Sequence, residues 1–310
     1  MMRFLVFLFT ASLRILAILA ILATYKSLHF LWTHHARPRL HGDLGLQRYM
    51  HATKGKAAWA FVIRADDPVG RALCAQLAAR GFNVAMYGSD RLSLDAIRER
   101  LRREFPWNRY RVVVERSGLG MDLESGVVDD EVFVARVVEA MGGENMTVLV
   151  NNSNSAAQSP GMLSSDTMGS TLATQLTAAL IPLLRRNAPS LFINLASIAA
   201  PDEVQMPRCA SCGAPSSCVE DGVNVVSYRL GDYAAGDEQP SYLKPSPETL
   251  ASVIPRHAGV ERGGGRGQSH AGVVVPYWPH AVLHMKDEAL PGWALELGRD
   301  LWKGEKTLKW

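Results

Sequence analysis

The stretch AAWAFVIRADDPVGRALCAQLAARGFNVAMYG, residues 57–88, decides the fold. It opens on AAWAFVI, a continuous apolar run of strand length, and a strand that is apolar at consecutive positions is one buried on both faces. GRALCAQLAARGF follows with helical spacing and is closed by Gly81, because glycine takes the left-handed conformation that ends helices without steric cost. FNVAMYG then repeats the buried-strand pattern. Strand, helix and strand in immediate succession form the repeating unit of a parallel sheet.

The alternation continues along the chain. LSLDAIRERLRREF reads as an amphipathic helix, RYRVVVE as a third strand, DDEVFVARVVEAM as a helix, and MTVLVNN as a fourth strand. LATQLTAALIPLLRR is a long helix, SLFINLAS a fifth strand and GVNVVSYRL a sixth. The expected fold class is α/β, a doubly wound, Rossmann-like parallel sheet covered on both faces, preceded by an N-terminal membrane helix. The expected organisation is a membrane anchor and juxtamembrane linker over residues 1–50, the α/β domain over 51–290 and a tail over 291–310. There is no solenoid-type repeat, and the one low-complexity stretch, RGGGRG at residues 262–267, reads as a loop.

The anchor rests on FLVFLFTASLRILAILAILA, residues 4–23, long enough as a helix to cross a hydrocarbon core of roughly 30 Å. Arg14 interrupts it, at a cost of about 2.5 to 3.5 kcal/mol that the surrounding leucine, isoleucine and phenylalanine offset. A cleaved secretory signal is the alternative; against it, no A-x-A site follows, and Tyr25, Phe30 and Trp32 flank the run as interfacial aromatics do. Lys26, Arg37, Arg39 and Arg48 follow the span and only Arg3 precedes it, which places the α/β domain in the cytosol. With 310 residues, 47% hydrophobic and 20% charged, the chain can bury a substantial core. The net charge of +3 with dispersed basic residues leaves no nucleic-acid footprint. Four cysteines are too few and too clustered for a disulfide scaffold.

Three of those cysteines fall in PRCASCGAPSSC, residues 207–218. Cys209 and Cys212 have the C-x-x-C spacing of zinc ligands, and Cys218 adds a third thiol. A closed zinc site needs four ligands, and no histidine lies between Pro207 and Ser241. Incidental thiols in a loop of small residues are the simpler reading.

Three motifs in order make the chain resemble the short-chain dehydrogenases/reductases: the turn IRADDPVGRAL after the first strand, LVNNSN at the end of the fourth and INLAS at the end of the fifth. Within that superfamily, AWAFV, RGFNV, KPSPETLASVI and YWPHAVL, together with the anchor, are similar to the microsomal 3-ketoacyl-CoA reductases of fatty-acid elongation, which are grouped with the type 12 17β-hydroxysteroid dehydrogenases. That resemblance covers residues 57–283 and implies NADP(H) as cofactor and a long-chain acyl-CoA or steroid as ligand. It further implies a single-pass endoplasmic reticulum membrane protein with a cytosolic catalytic-like domain. Membrane, a homo-oligomer and the proteins of an elongation complex are the implied partners, with no nucleic acid.

Several residues depart from the family pattern. Dinucleotide binding calls for glycines in the first turn, so that backbone can approach the pyrophosphate at a helix N-terminus. Here Arg64 and Pro68 hold two of the three glycine positions and only Gly70 remains, while Asp66 and Asp67 bring negative charge to the turn. The reduction itself delivers a hydride to a carbonyl carbon while a tyrosine, its pKa lowered by a lysine four residues on, protonates the oxygen. The resemblance places Cys209 at that tyrosine, Gly213 at the lysine and Gly169 at the catalytic asparagine, leaving Ser197 as the one member retained. Asn151 keeps its family place and can also tie neighbouring strands without a cofactor. Asp122 matches the residue that contacts adenine, with Glu115 as its rival, and Arg91 stands in for the basic residue at Ser89 that would select a 2′-phosphate.

The expected function is that of a membrane-anchored member of the 3-ketoacyl-CoA reductase group that has lost catalysis, acting as a binding or scaffolding subunit or persisting as a decaying paralogue. One alternative is an active NADPH-dependent 3-ketoacyl-CoA or ketosteroid reductase with Cys209 as proton donor, since a thiol of pKa near 8.5 can donate a proton. Another is a metal-binding module at Cys209, Cys212 and Cys218.

Overall fold

Apolar residues at every position of the first strand find a core on each side. In β1 (Ala58–Ile63), Ala58, Ala60 and Val62 pack into one hydrophobic cluster, and Trp59, Phe61 and Ile63 pack into another on the opposite face. The first cluster is completed by α2 (Pro68–Ala79), α3 (Arg91–Glu104) and α6 (Pro247–Ala258), and the second by α4 (Asp130–Gly142) and α5 (Asp166–Arg186). This is the three-layer arrangement that the unbroken apolar run requires. The computed structural model describes residues 2–32, 36, 45–114, 130–154, 166–198, 222–234, 236–258 and 273–289.

The sheet also contains β2 (Asn83–Gly88), β3 (Tyr110–Val114), β4 (Asn145–Asn154), β5 (Ser190–Ser197), β6 (Val223–Leu230) and β7 (Val273–Val274). All seven strands are parallel, in the order β3-β2-β1-β4-β5-β6-β7. The expected six strands are present; the seventh, of two residues, is too short to leave a pattern in the sequence. Reversal of strand order beside β1 makes that strand the topological switch point, where ligands bind beyond the strand C-termini in such sheets. Registers Ile63 with Tyr87, Ile63 with Asn151, Asn151 with Asn194 and Ser197 with Leu230 align those C-termini on one edge.

The opposite edge, where strands begin and helices end, is bound together by polar contacts. The Thr147 hydroxyl donates to the Tyr49 carbonyl at 2.6 Å, Asn145 Nδ2 donates to the His51 carbonyl at 2.7 Å, and Asn224 Nδ2 donates to the Tyr49 hydroxyl at 2.6 Å. Three cations, Lys56, Arg111 and Arg186, donate to the carbonyls of Gly143, Ala140 and Gly142 at the end of α4, where a helix C-terminus favours positive charge. Leu46 and Tyr49 are both buried in the core, so the packed unit begins before the expected boundary at residue 51.

Before the domain comes α1 (Met2–Leu31), which runs uninterrupted through Arg14. Its Ser12–Leu31 part is long and apolar enough to cross a membrane by length and composition, and none of its apolar window is buried. The apolar stretch expected at residues 4–23 therefore continues past Ala23, and Lys26 lies inside the helix.

Candidate functional site

At the end of β1 the chain enters the turn that carries the sequence's departures from a dinucleotide-binding pattern. Arg64 stands there at φ 54°, in the left-handed region where an ordinary residue is strained and glycine is not. The retained glycine has a steric reason: a Cβ on Gly70 would lie 2.1 Å from the Arg64 carbonyl oxygen, so nothing larger fits between β1 and α2.

The two aspartates diverge. Asp67 caps α2, its carboxylate accepting from the Val69 N–H at 3.1 Å, with Pro68 at the first helical position where a missing N–H costs nothing. It also accepts from Asn152 Nδ2 at 3.2 Å and from the Tyr233 hydroxyl at 3.3 Å, joining the ends of β1, β4 and β6. Burial, then the Asp67 charge and its hydrogen bond, push the Tyr233 phenol above its ordinary pKa, so the phenol stays protonated and donates.

Asp66 turns the other way, across the end of β2. Its Oδ2 accepts from the Ser89 N–H at 2.8 Å, the Ser89 hydroxyl at 3.1 Å and the Asp90 N–H at 3.1 Å. Gly88 makes room for it, since a Cβ there would fall 2.5 Å from the Asp66 carboxyl carbon. Asp90 in turn caps α3, accepting from the Leu92 N–H at 3.0 Å, and hydrogen bonds from Ser93 hold its carboxyl below the usual carboxylate range. Arg91, expected as a substitute 2′-phosphate ligand, pairs with Asp95 at 3.6 Å on the exposed start of the same helix.

These positions can be tested against a nicotinamide dinucleotide. The pyrophosphate of such a cofactor uses free N–H groups at the first helix N-terminus, and its adenosine ribose lies at the end of the second strand. Here one carboxylate already accepts at the first place and another takes the donors at the second. Both repel phosphate, and Arg64 adds the bulk of a side chain where the backbone must be approached. The residues present do not fit the cofactor.

Asn151 is buried, and its Nδ2 donates to Asn194 Oδ1 at 3.0 Å, tying β4 to β5. Ser197 ends β5, also buried, opposite Leu230. Gly169 lies in α5. Cys209, Gly213, Cys212, Cys218, Asp122 and Glu115 fall outside the described residues. The remaining cysteine, Cys74, is a buried free thiol in α2 whose pKa burial drives upward, a packing residue. Among the described residues no cluster of three metal-ligating side chains occurs.

Three contributors were not legible beforehand. Asn152, Tyr233 and His280 lie far from the first turn in sequence, and only the Asn-Asn pair after β4 gave a signal. His280, in α7 (Trp278–Ala289), accepts from the Gly231 N–H through Nδ1 at 3.1 Å, and its Nε2 lies 3.0 Å from the Leu243 carbonyl, which fixes the neutral tautomer with the proton on Nε2. Burial lowers its pKa, against the opposing pull of the Leu243 carbonyl.

A wholly parallel sheet with its switch point beside β1 and a glycine locking β1 to α2 defines a doubly wound, Rossmann-like α/β fold. The chain's sequence resembles the very-long-chain 3-oxoacyl-CoA reductases. The very-long-chain 3-oxoacyl-CoA reductase of Meyerozyma guilliermondii is 23% identical over 264 residues, covering 75% of this chain and 72% of the relative. The protein of that name from Kluyveromyces lactis is 24% identical over 258 residues, 74% of this chain and 71% of its own. A short-chain dehydrogenase from Sphingobium yanoikuyae, solved in complex with NADPH, is 18% identical with a TM-score of 0.45, over 63% of this chain and 82% of that one. No protein-family profile matches the chain.

Proposed function

We propose that this protein is a membrane-anchored relative of the 3-ketoacyl-CoA reductases that neither binds NADP(H) nor reduces a carbonyl, and that it serves as a binding or scaffolding subunit. The observation that carries the reading is the first turn. Asp67 accepts from the Val69 N–H at the helix N-terminus, and Asp66 takes the Ser89 and Asp90 N–H groups, so donors at both places where a dinucleotide would sit are engaged by the chain's own carboxylates. The sequence supports it from the catalytic side, where Cys209, Gly213 and Gly169 stand in place of tyrosine, lysine and asparagine. Without a polarised acid, the oxygen of a reduced ketone has no proton source.

In this reading α1 holds the chain in the endoplasmic reticulum membrane with the α/β domain in the cytosol, and the ligand class is a long-chain acyl-CoA or steroid bound without turnover. Residues 1–50, 51–290 and 291–310 are then anchor with linker, folded domain and tail, the fold reaching back to Leu46. The test is NADPH oxidation by the full-length protein in detergent with 3-ketoacyl-CoA or 17-ketosteroid substrates. No turnover above the substrate-free rate is expected. Robust activity that disappears in Cys209→Ala would overturn the reading and make the thiol the acid.

A further inference from the structure

We infer that the sheet edge at which the strands begin is a docking surface for anionic lipid headgroups. In a wholly parallel sheet every strand start and every helix end meets at one edge, and here that edge is basic. Arg102 and Arg103 end α3, Arg109 and Arg111 flank the start of β3, and Lys54 stands in the turn ahead of β1. Lys54 and Arg109 are exposed, and their side chains make no hydrogen bond or ion pair among the described residues, Arg109 being held through its backbone by Asn83 and Val84. The acidic side chains beside them, Glu99, Glu104 and Glu144, are paired with Arg102 at 3.5 Å, Arg100 at 2.8 Å and Arg111 at 3.2 Å. Arg102, Arg109 and Arg111 line a cleft of about 540 Å³ with Trp59 and Asn108, sized for headgroup-scale ligands.

Trp107 gives the edge its second interfacial property. It sits in the turn between α3 and β3 with 77% of its surface exposed, beside Arg109, and an exposed indole next to basic residues is the pairing found at membrane interfaces. The opposite edge carries both signs, with Asp66, Asp67 and Asp90 beside Arg64, Arg71 and Arg91 at the ends of β1 and β2.

A bilayer is the partner because of the tether. Residues 32–44 separate α1 from the packed chain, a stretch that reaches at most about 45 Å when fully extended. The packed chain then re-enters through residues 45–57 at the basic edge itself. If α1 spans a membrane, as proposed above, the domain is confined within that distance of the headgroups, and its basic edge is the one nearest the point of attachment. Each Lys or Arg near an anionic surface then strengthens association by about fivefold. Docking this way directs the strand C-termini, and whatever binds there, towards the cytosol.

The experiment uses the full chain reconstituted in phosphatidylcholine vesicles with and without phosphatidylserine, both containing lipids brominated near the headgroup. The difference in fluorescence between wild type and Trp107→Phe isolates that indole. The expected result is severalfold stronger quenching of Trp107 with phosphatidylserine, abolished by high salt and by Lys54→Gln combined with Arg102→Gln and Arg109→Gln. Equal quenching of Trp107 in the two vesicle types, or none in either, overturns the inference. Flotation of the chain with phosphatidylcholine vesicles reports on α1 alone. A chain that fails to float there has no anchor, and salt-sensitive flotation with phosphatidylserine vesicles, or its absence, then decides for or against the edge.

Discussion

The edge where the strands begin and the edge where they end have kept different things. At the first, Tyr49, Asn145, Thr147 and Asn224 bind the entering chain beneath the sheet, and three cations close the end of α4. At the second edge, where this class of fold does its chemistry, Arg64 and Pro68 displace two glycines and aspartates accept hydrogen bonds suited to phosphates. On the proposed reading, the first turn of this fold serves closure alone, and a carboxylate accepting from the helix N-terminus supplies it without a ligand.

The largest effect is expected where both requirements meet. Gly70→Ala places a methyl group 2.1 Å from the Arg64 carbonyl, and it should destabilise the domain by roughly 3 kcal/mol, read as a lower denaturation midpoint. Gly88→Ala should cost about 1 to 3 kcal/mol by expelling the Asp66 carboxylate from Ser89 and Asp90. If the second substitution proves neutral, the Asp66 bridge is not structural and the contrast between the edges weakens.

Next comes the cap. Asp67→Ala removes the acceptor for Val69, Asn152 and Tyr233 and should cost about 1 to 2 kcal/mol, whereas Asp67→Asn, still a good capping residue, should cost less. At the basic edge, Arg109→Gln should leave stability within about 0.5 kcal/mol, because the exposed guanidinium has no partner among the described residues.

The smallest effect is a pH dependence from His280. The unfolded chain takes up this proton near pH 6.5 and the folded chain at lower pH, since burial disfavours the imidazolium. Its contribution to stability is therefore intact above about pH 6.5 and is lost as the pH falls from there through the folded pKa. Thermal unfolding across that window should show a shallower acid decline in His280→Gln than in wild type.

The fold was legible because burial on both faces writes itself into consecutive apolar residues such as AWAFVI, and because Gly81 marks a helix end by backbone conformation alone. The two-residue β7 escaped, being shorter than any period, and α6 and α7 were read only as motifs of the resemblance and not as helices. The site was legible as a set of departures, since Arg64, Asp66, Asp67 and Pro68 stand out against a glycine pattern. Their geometry was not, because a pair of adjacent aspartates does not reveal that one carboxylate caps α2 and the other crosses to β2. Nor could Tyr233 and Asn152 be assigned to Asp67 from positions far along the chain.

Isothermal titration of NADPH into the full-length protein in detergent tests the central claim most directly. Wild type should give no saturable heat, and Arg64→Gly with Asp67→Gly and Pro68→Gly, which frees the first helix N-terminus, should gain measurable affinity if it remains folded by circular dichroism. Micromolar NADPH binding by the wild-type chain would contradict the claim that its own carboxylates have closed the nucleotide site.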